Sequence, residues 1–262
     1  MGESRIAGRC SCAVIGAGNV ASSIAPELSR YLDVRQIYSR DIANARVLAS
    51  AIDGCEAISS LDALAPDIDF YLISVCDDAV ANVVRATESI KQGLWAHTSG
   101  SVPADILSGK EFYGVFYPLQ TFSKGKSVNL REVPFFIEGN DEESLDRLMK
   151  LAALVSDKVY KADSDRRKKL HVAAVFACNF ANLMWIEADR LLKDEGLAID
   201  VFYPLLRETL SKLDKMSPLM AQTGPARRGD VGVIKKHLSM LDGDKAEIYK
   251  LLSDNILKIY NE

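Results

Sequence analysis

The chain has 262 residues, of which 48% are hydrophobic and 26% charged, enough for one large domain or two. Its 32 Lys and Arg against 36 Asp and Glu give a formal net charge of -4, so no overall positive field favours nucleic acid. Five scattered cysteines without a C-x-x-C pair argue against a disulfide framework or a zinc site, and no apolar run approaches the roughly 18 to 20 residues of a membrane span. We therefore expect a cytoplasmic protein without a metal, a nucleic acid partner or a membrane partner.

Up to residue 163, short β-branched runs alternate with helix-like periods, a pattern typical of a mostly parallel sheet covered by helices. The runs predict strands at residues 11–15, 34–38, 70–75, 94–97, 113–117, 135–138 and 158–160. Apolar residues at i, i+3 and i+4 predict helices at residues 19–31, 41–52, 78–89 and 141–155. The fold class predicted for this part is therefore α/β.

After residue 163 the strand signals stop. No Pro or Gly interrupts residues 164–195, which predicts one long helix that ends before Gly196. At about 1.5 Å per residue this helix would span nearly 50 Å, too long for an ordinary crossover between strands. Further helices are predicted at residues 200–216, 230–241 and 245–260. Residues 164–262 are thus predicted to form an all-helical domain that serves substrate binding and dimerisation.

A glycine-rich turn joins the first predicted strand to the first predicted helix, reading Gly16-Ala17-Gly18-Asn19-Val20-Ala21. In this G-x-G-x-x-A pattern, Gly16 permits the tight turn, Gly18 lets the backbone approach a pyrophosphate, and Ala21 allows close helix packing. The free N–H groups at the helix N-terminus complement phosphate charge. We therefore predict that residues 1–163 form a Rossmann-like dinucleotide-binding domain, with the cofactor contacted by Gly16, Ala17, Gly18, Asn19 and Val20.

The end of the second predicted strand indicates which nucleotide binds. NAD sites usually carry Asp or Glu about 20 residues after the glycines, where this chain has Tyr38-Ser39-Arg40. A hydroxyl and a guanidinium suit a 2′-phosphate, so Ser39 and Arg40 favour NADP over NAD. Alternatively, Arg40 is an exposed charge before the next helix. Asp41 could serve as the ribose-binding acid, although the N-cap of that helix explains it better.

Val75 and Cys76 end another apolar strand at the same sheet edge, where backbone would approach the ribose of the cofactor. No cationic neighbour is evident in the sequence to lower the pKa of the Cys76 thiol, so we interpret Cys76 as a packing residue rather than a nucleophile. Both residues are predicted to contact the cofactor.

Six segments carry a family resemblance: GAGNVA, SVCDDAV at 74–80, HTSGSVP at 97–103, YPLQTF at 117–122, HVAAVFACN at 171–179 and TGPARRGD at 223–230. Over nearly its whole length the chain resembles a family of predicted NADP oxidoreductases with a Rossmann-like N-terminal domain and a helical C-terminal domain of uncharacterised function. It is more distantly similar to pyrroline-5-carboxylate reductases and β-hydroxyacid dehydrogenases. Their assembly, together with the apolar helices of this chain, implies a homodimer built on the helical domain.

The D-x-S-T-x-x-P segment of β-hydroxyacid dehydrogenases matches this chain at Ser99 and Pro103. That match implies a substrate or cofactor contact for Ser99, although a strand-end turn also explains this residue. His97 and Gly100 replace the Asp and Thr of the pattern, and we interpret His97 as packed in the sheet. These dehydrogenases carry on their long helix a Lys with an Asn four residues later; here the long helix has His171 with Val175 four residues later, so that pair is absent and their reaction is not implied.

Hydride transfer to a carbonyl or imine needs a group that exchanges the balancing proton. His171, early in the long helix, is our candidate acid or base, with Ser99 and Asn179 hydrogen-bonding the substrate; on a regular helix Asn179 lies about 80° from His171. Alternatively, His171 is a hydrogen-bonded histidine between the domains. Tyr117, at a strand end, and Arg228, in a loop, are candidate substrate-binding residues. Alternatively, Tyr117 covers the core and Arg228 holds its loop in place.

These features together predict an NADP-dependent oxidoreductase that transfers a hydride to or from a small carbonyl or imine compound. A non-catalytic NADP-binding sensor is the alternative. The basic run from Arg166 to Lys169 follows two aspartates near a helix start, and we interpret it as a solvated face rather than a binding site.

Overall fold

The computed structural model describes residues 9–261, so the first eight residues of the predicted N-terminal domain lie outside it. Its strands are β1 (Ser11–Ile15), β2 (Asp33–Tyr38), β3 (Glu56–Ile58), β4 (Phe70–Ile73), β5 (Leu94–His97), β6 (Phe112–Pro118), β7 (Phe135–Gly139) and β8 (Val159–Lys161). They form one sheet in the order β3-β2-β1-β4-β5-β6-β7-β8. The first six follow the doubly wound order in which ligands bind at the carboxyl ends of the strands, where the order reverses. The mostly parallel sheet is confirmed.

Two features of the sheet differ from the simplest prediction. β7 runs antiparallel to β6, with Val115 opposite Glu138, while β8 is parallel to β7. β3 is absent from the predicted strands because three residues are too few to show an alternating pattern. The two ends of the sheet are therefore less regular than its centre, where β1 is buried along its whole length.

Four helices cover the two faces of the sheet: α1 (Asn19–Leu28), α2 (Ile42–Ala49), α3 (Asp77–Ala86) and α4 (Glu142–Val155). The Asp41 carboxylate accepts the N–H of Ala43 and so caps α2, and Asp141 caps α4 by accepting the N–H of Ser144. The starts predicted from the sequence for these four helices lie within one residue of the observed starts. It extends the first three helices about three residues too far, because apolar side chains continue into the turns that follow.

The helices of the remaining chain are α5 (Ser164–Ala174), α6 (Ala181–Asp194), α7 (Tyr203–Leu213), α8 (Pro218–Ala221), α9 (Val231–Leu238) and α10 (Gly243–Asn261). A π-helical turn, Val175–Phe180, joins α5 to α6. The predicted long helix is therefore continuous, but it is not regular. The angle of about 80° between His171 and Asn179 assumed a regular α-helix and is wrong, because the wider π turn lies between them.

The described chain divides into two compact units, one up to Cys178 and one from Asn179 onward. The division falls inside the π turn, well beyond the domain boundary predicted after residue 163. α5 belongs to the unit that contains the sheet because Arg167, with no exposed surface, bonds to Glu138 on β7. The interpretation of the basic run as a solvated face is wrong for Arg167.

One helical stretch, Ser164–Asp194, is long enough to cross a membrane and contains an 18-residue window of mean hydropathy 1.3. The sequence shows no uninterrupted apolar run here because Asn179 and Asn182 lie among the apolar residues. Length and composition are the only criteria that this stretch meets, and none of that window is buried within the described chain. It is a weak indication of a membrane segment.

Candidate active site

A cavity of about 610 Å³ opens at the carboxyl edge of the sheet, within the first unit. Nine of the ten residues predicted to contact the cofactor line it: Gly16, Ala17, Gly18, Asn19, Val20, Ser39, Arg40, Val75 and Cys76. Ser99 is the tenth and does not line the cavity, although its neighbour Thr98 does. Backbone hydrogen bonds align this edge, since Gly16 donates to the Tyr38 carbonyl at 2.8 Å and Thr98 donates to the Ile73 carbonyl at 3.0 Å.

Sequence reasoning missed several polar residues of the cavity wall, including Ser74, Asn44 and Asn82. Ser74 follows β4 directly, and its place after an apolar strand is a signal that could have identified it. Asn44 and Asn82 lie inside α2 and α3, where the sequence pattern does not distinguish a cavity-lining polar residue from a solvated one.

The two glycines of the turn have different structural reasons. Gly16 has a positive φ of 131°, and a Cβ there would lie 2.0 Å from the Ser74 carbonyl oxygen. Gly18 precedes α1, and a Cβ on it would meet nothing within 4 Å. Gly16 is therefore required by the protein itself, whereas the space over Gly18 and the free N–H groups of α1 fit a ligand phosphate.

We expect Gly16→Ala to destabilise the fold: backbone strain alone costs about 1–3 kcal/mol, and the steric clash with Ser74 adds to it. Gly18→Ala should leave the melting temperature nearly unchanged. Gly18→Ala should instead weaken nucleotide binding, because its methyl group enters the open space over the turn. Thermal unfolding and NADPH titration of both variants measure the difference. If Gly18→Ala and the unmodified protein bind NADPH with equal affinity, the phosphate does not bind at this turn.

The far end of the cavity carries Ser39 and Arg40 just after β2. Asp41 does not line the cavity, and both of its oxygens are bonded: Oδ1 accepts from Ala43 N and Oδ2 from Asn44 Nδ2, each at 3.0 Å. No Asp or Glu of residues 9–261 lines the cavity wall. This end therefore suits an anionic group better than a ribose hydroxyl that needs a carboxylate.

His97 is fully buried at the end of β5. Its Nδ1 accepts the N–H of Ser99 at 3.2 Å, and its Nε2 lies 3.4 Å from the Pro103 carbonyl oxygen. Burial, with a smaller effect from the nearby Arg167 charge, lowers the pKa of His97 to about 4. His97 is thus neutral at pH 7, and both its nitrogens contact the loop that follows β5. The prediction that His97 is packed in the sheet is confirmed.

Ser99 organises the loop that follows β5. Its Oγ accepts backbone N–H groups from Ser101 at 3.1 Å and from Val102 at 3.0 Å. These bonds match the alternative interpretation of Ser99 as part of a strand-end turn. Both bonds use Ser99 as an acceptor, so its hydroxyl hydrogen remains able to donate to a ligand.

Tyr117 and His171 meet at the same sheet edge. The Tyr117 hydroxyl lies 3.1 Å from Nδ1 of His171. A Cβ on Gly100 would lie 2.6 Å from that Nδ1 and 2.8 Å from Cζ of Tyr117, so the bare glycine makes room for the pair. Burial raises the pKa of Tyr117 to about 12, although the nearby Arg167 charge acts in the opposite direction. The phenol is therefore protonated at neutral pH.

Neither Tyr117 nor His171 lines the cavity, but Gly100, which lies against both side chains, is close in the chain to a residue of the cavity wall. Thr98 lines the cavity, and Gly100 follows two residues later, so their Cα atoms are at most about 7 Å apart. The sequence singled out Tyr117 and His171 separately. One feature of the sequence relates to their contact: Gly100 replaces the Thr of the dehydrogenase pattern and so leaves space for both side chains.

The second unit contains the other two predicted site residues, and both are exposed. Asn179 begins this unit in the π turn. Arg228 forms an ion pair with Asp230, with Nε 3.0 Å from a carboxylate oxygen. The ion pair matches the alternative in which Arg228 ties its loop down. Ser99, Tyr117 and His171 therefore share the first unit, whereas Asn179 and Arg228 belong to the second.

The doubly wound sheet, the glycine-rich turn and the cavity above it define a dinucleotide-binding class of fold. Residues 133–256 match the model of a domain of unknown function, DUF2520. The structure of a putative NADP oxidoreductase from Bacteroides fragilis is 41% identical, with a TM-score of 0.90 over 95% of this chain and 98% of that one. The chain belongs to this family of NADP oxidoreductases.

More distant solved structures share the fold. An imine reductase from Streptomyces aurantiacus is 16% identical, with a TM-score of 0.69 over 95% of this chain and 93% of that one. A reductive aminase from Aspergillus terreus in complex with NADPH is 14% identical, with a TM-score of 0.65 over 88% of this chain and 78% of that one. No curated protein matches the chain.

Proposed function

We propose that the protein is an NADP-dependent reductase or dehydrogenase that transfers a hydride to or from a small carbonyl or imine compound. The observation that carries this proposal is one cavity lined by a phosphate-type turn and by Ser39 and Arg40, together with the Tyr117–His171 pair, which lies against Gly100, two residues after Thr98 of the cavity wall. Family membership supports oxidoreduction. The imine reductase and reductive aminase of the same fold point to carbonyl or imine substrates.

The cofactor-binding residues divide the work along the cavity. The turn at Gly16 and Gly18 and the N-terminus of α1 hold the pyrophosphate, because free N–H groups and the positive end of the helix dipole face it. Ser39 and Arg40 bind the 2′-phosphate, and Val75 and Cys76 contact the ribose.

When bound, NADPH would supply a hydride for the carbon of a C=O or C=N bond. The electron pair of that double bond moves to the oxygen or nitrogen, which takes a proton from His171. The hydrogen bond to Tyr117 engages Nδ1 and so orients the ring, and Nε2 is the nitrogen that would exchange the proton. In the reverse direction His171 accepts the proton. Ser99 orients the substrate, whereas the substrate roles of Asn179 and Arg228, which belong to the second unit, stay predictions.

Titration of the purified protein with NADPH and NADH tests the cofactor, and a panel of small ketones, aldehydes and cyclic imines with the preferred nucleotide tests the reaction. We expect tighter binding of NADPH and its oxidation with at least one member of the panel. Tight NADPH binding without any turnover would favour the sensor, the alternative function. Failure to bind either nucleotide would contradict both.

We also propose that the unit up to Cys178, rather than residues 1–163, is the nucleotide domain and that the helical unit from Asn179 onward serves substrate binding and dimerisation, in a soluble cytoplasmic protein. All five cysteines are free, including the exposed Cys76 and Cys178. Free thiols exposed to solvent suit a reducing compartment.

The helical part is the proposed dimer interface. No side chain of α6 or α7 is buried within the chain, and large apolar side chains such as Leu205 and Leu210 are 60% and 61% exposed. Monomeric proteins rarely expose apolar surface on this scale, and a second copy would cover it.

We therefore expect sedimentation to give a mass twice the 28.8 kDa of the chain. Leu205→Glu combined with Leu210→Glu should shift the protein towards monomer, because burying two carboxylates is unfavourable. Val47→Glu, at a 71% exposed position on α2, is the control and should stay dimeric. A concentration-independent monomer mass of the unmodified protein would overturn the dimer.

A further inference from the structure

A buried ion pair ties three elements together near the Tyr117–His171 pair. Arg167, in the first turn of α5, donates from Nη1 to the Glu138 carboxylate on β7 and from Nη2 to the Val102 carbonyl. The Ser164 hydroxyl donates to the same carboxylate at 2.9 Å and accepts the N–H of Ala104 at 3.2 Å. Helix α5, strand β7 and the loop after β5 are thus joined through one guanidinium and one carboxylate.

This arrangement is costly for the protein. Arg167 has no exposed surface, and its Nε has no hydrogen-bond partner among the described residues. Burying a charge is unfavourable unless partners compensate for lost water, and apolar side chains of similar volume often stabilise a fold as well or better. What the ion pair supplies beyond packing is a fixed geometry among the three elements.

The three elements lead directly to His171. His171 follows Arg167 by four residues, so both side chains lie on the same face of α5. Tyr117 lies on β6, which pairs with the strand that carries Glu138. Gly100 belongs to the loop whose carbonyl accepts from Arg167. The contacts of Arg167 therefore hold the strand next to the one that carries Tyr117 and the loop that contains Gly100, and both of these residues lie against His171.

We propose that Arg167 is a positioning residue, which with Glu138 sets α5 against β7 and the loop at residues 99–104 so that His171 meets Tyr117 over Gly100. The functional meaning of this placement rests on the proposed function, but the placement itself does not need the cofactor. It can therefore be tested without turnover.

The test is side-chain ¹⁵N NMR of histidine-labelled protein, in which single substitutions assign the three histidines. Tyr117→Phe removes the hydroxyl from Nδ1 of His171 and defines the resonance of the broken pair. We expect Arg167→Met to move the His171 resonance to that same position while the buried His97 resonance still reports a folded sheet. Arg167→Lys keeps the charge beside Glu138 and should restore part of the original position.

Lys110→Met is the matched control. Lys110 is another buried cation, 5% exposed, whose Nζ donates to the Ile90 carbonyl at 2.8 Å. It precedes β6, whereas Tyr117 is near the opposite end of that strand, so its loss should leave the His171 resonance in place. If Arg167→Met does not fold, Arg167→Lys and Glu138→Gln carry the test, each with a smaller displacement expected.

Three results would overturn the proposal: an unmoved His171 resonance in the folded Arg167 or Glu138 variants, an equal displacement in Lys110→Met, or no response to Tyr117→Phe. Absence of NADPH binding or turnover would overturn the proposed function instead and leave the NMR result standing.

Discussion

His171→Ala is expected to lower turnover about a hundredfold to ten-thousandfold while leaving the dissociation constant for NADPH nearly unchanged. Alanine cannot exchange a proton, and His171 does not line the cavity to which we assign NADPH. The measurement is steady-state turnover with a substrate from the carbonyl and imine panel, together with NADPH titration of the same variant.

Two variants separate proton transfer from packing. His171→Asn keeps a polar atom near Tyr117 but cannot act as an acid or base, so its turnover should fall as far as that of His171→Ala. Tyr117→Phe keeps the ring and removes only the orienting hydroxyl, so its loss should be smaller. If His171→Ala instead lowers thermal stability and leaves turnover per folded molecule intact, His171 is structural and the proton donor becomes Ser99 or Tyr117.

Arg40→Ala is expected to weaken NADPH binding roughly tenfold to a hundredfold and to leave NADH binding almost unchanged, because one charge-assisted contact to the 2′-phosphate is lost. Direct titration of both nucleotides measures the change. The unmodified protein should prefer NADPH, and the variant should lose most of that preference.

Arg30→Ala provides the control, since Arg30 is exposed, forms an ion pair with Glu27 and does not line the cavity. Its nucleotide preference should equal that of the unmodified protein. Equal affinity of the unmodified protein for NADPH and NADH would refute the assignment of Ser39 and Arg40 to a 2′-phosphate.

Most of the predicted cofactor-binding residues that line the cavity could be located from the sequence because they are contiguous with strand ends. The turn after β1, Ser39 and Arg40 after β2, and Val75 and Cys76 after β4 all come to one edge once the strands are parallel. Local patterns suffice for such residues, since the end of a buried strand can be read from a run of apolar side chains. They do not reach Asn44 or Asn82, whose positions inside helices carry no such mark.

Arg167 shows the opposite case. In the sequence it is one of four consecutive basic residues after an acidic N-cap, which is the usual pattern of a solvated helix start. Its burial depends on Glu138, 29 positions earlier, and on a carbonyl of the loop after β5. No periodicity within the helix distinguishes Arg167 from Arg166, which is exposed.

The sequence by itself determined the parallel sheet, the glycine-rich turn and the change to helices after residue 163, because each follows from local patterns of apolar, capping and turn residues, and it also predicts the preference for a 2′-phosphate. Only the tertiary structure decided that β7 runs antiparallel, that a π turn interrupts the long helix, that His171 meets Tyr117 over Gly100 and that Arg167 is buried. The physical reason is that these features depend on contacts between residues far apart in the chain, whose energies no local pattern contains.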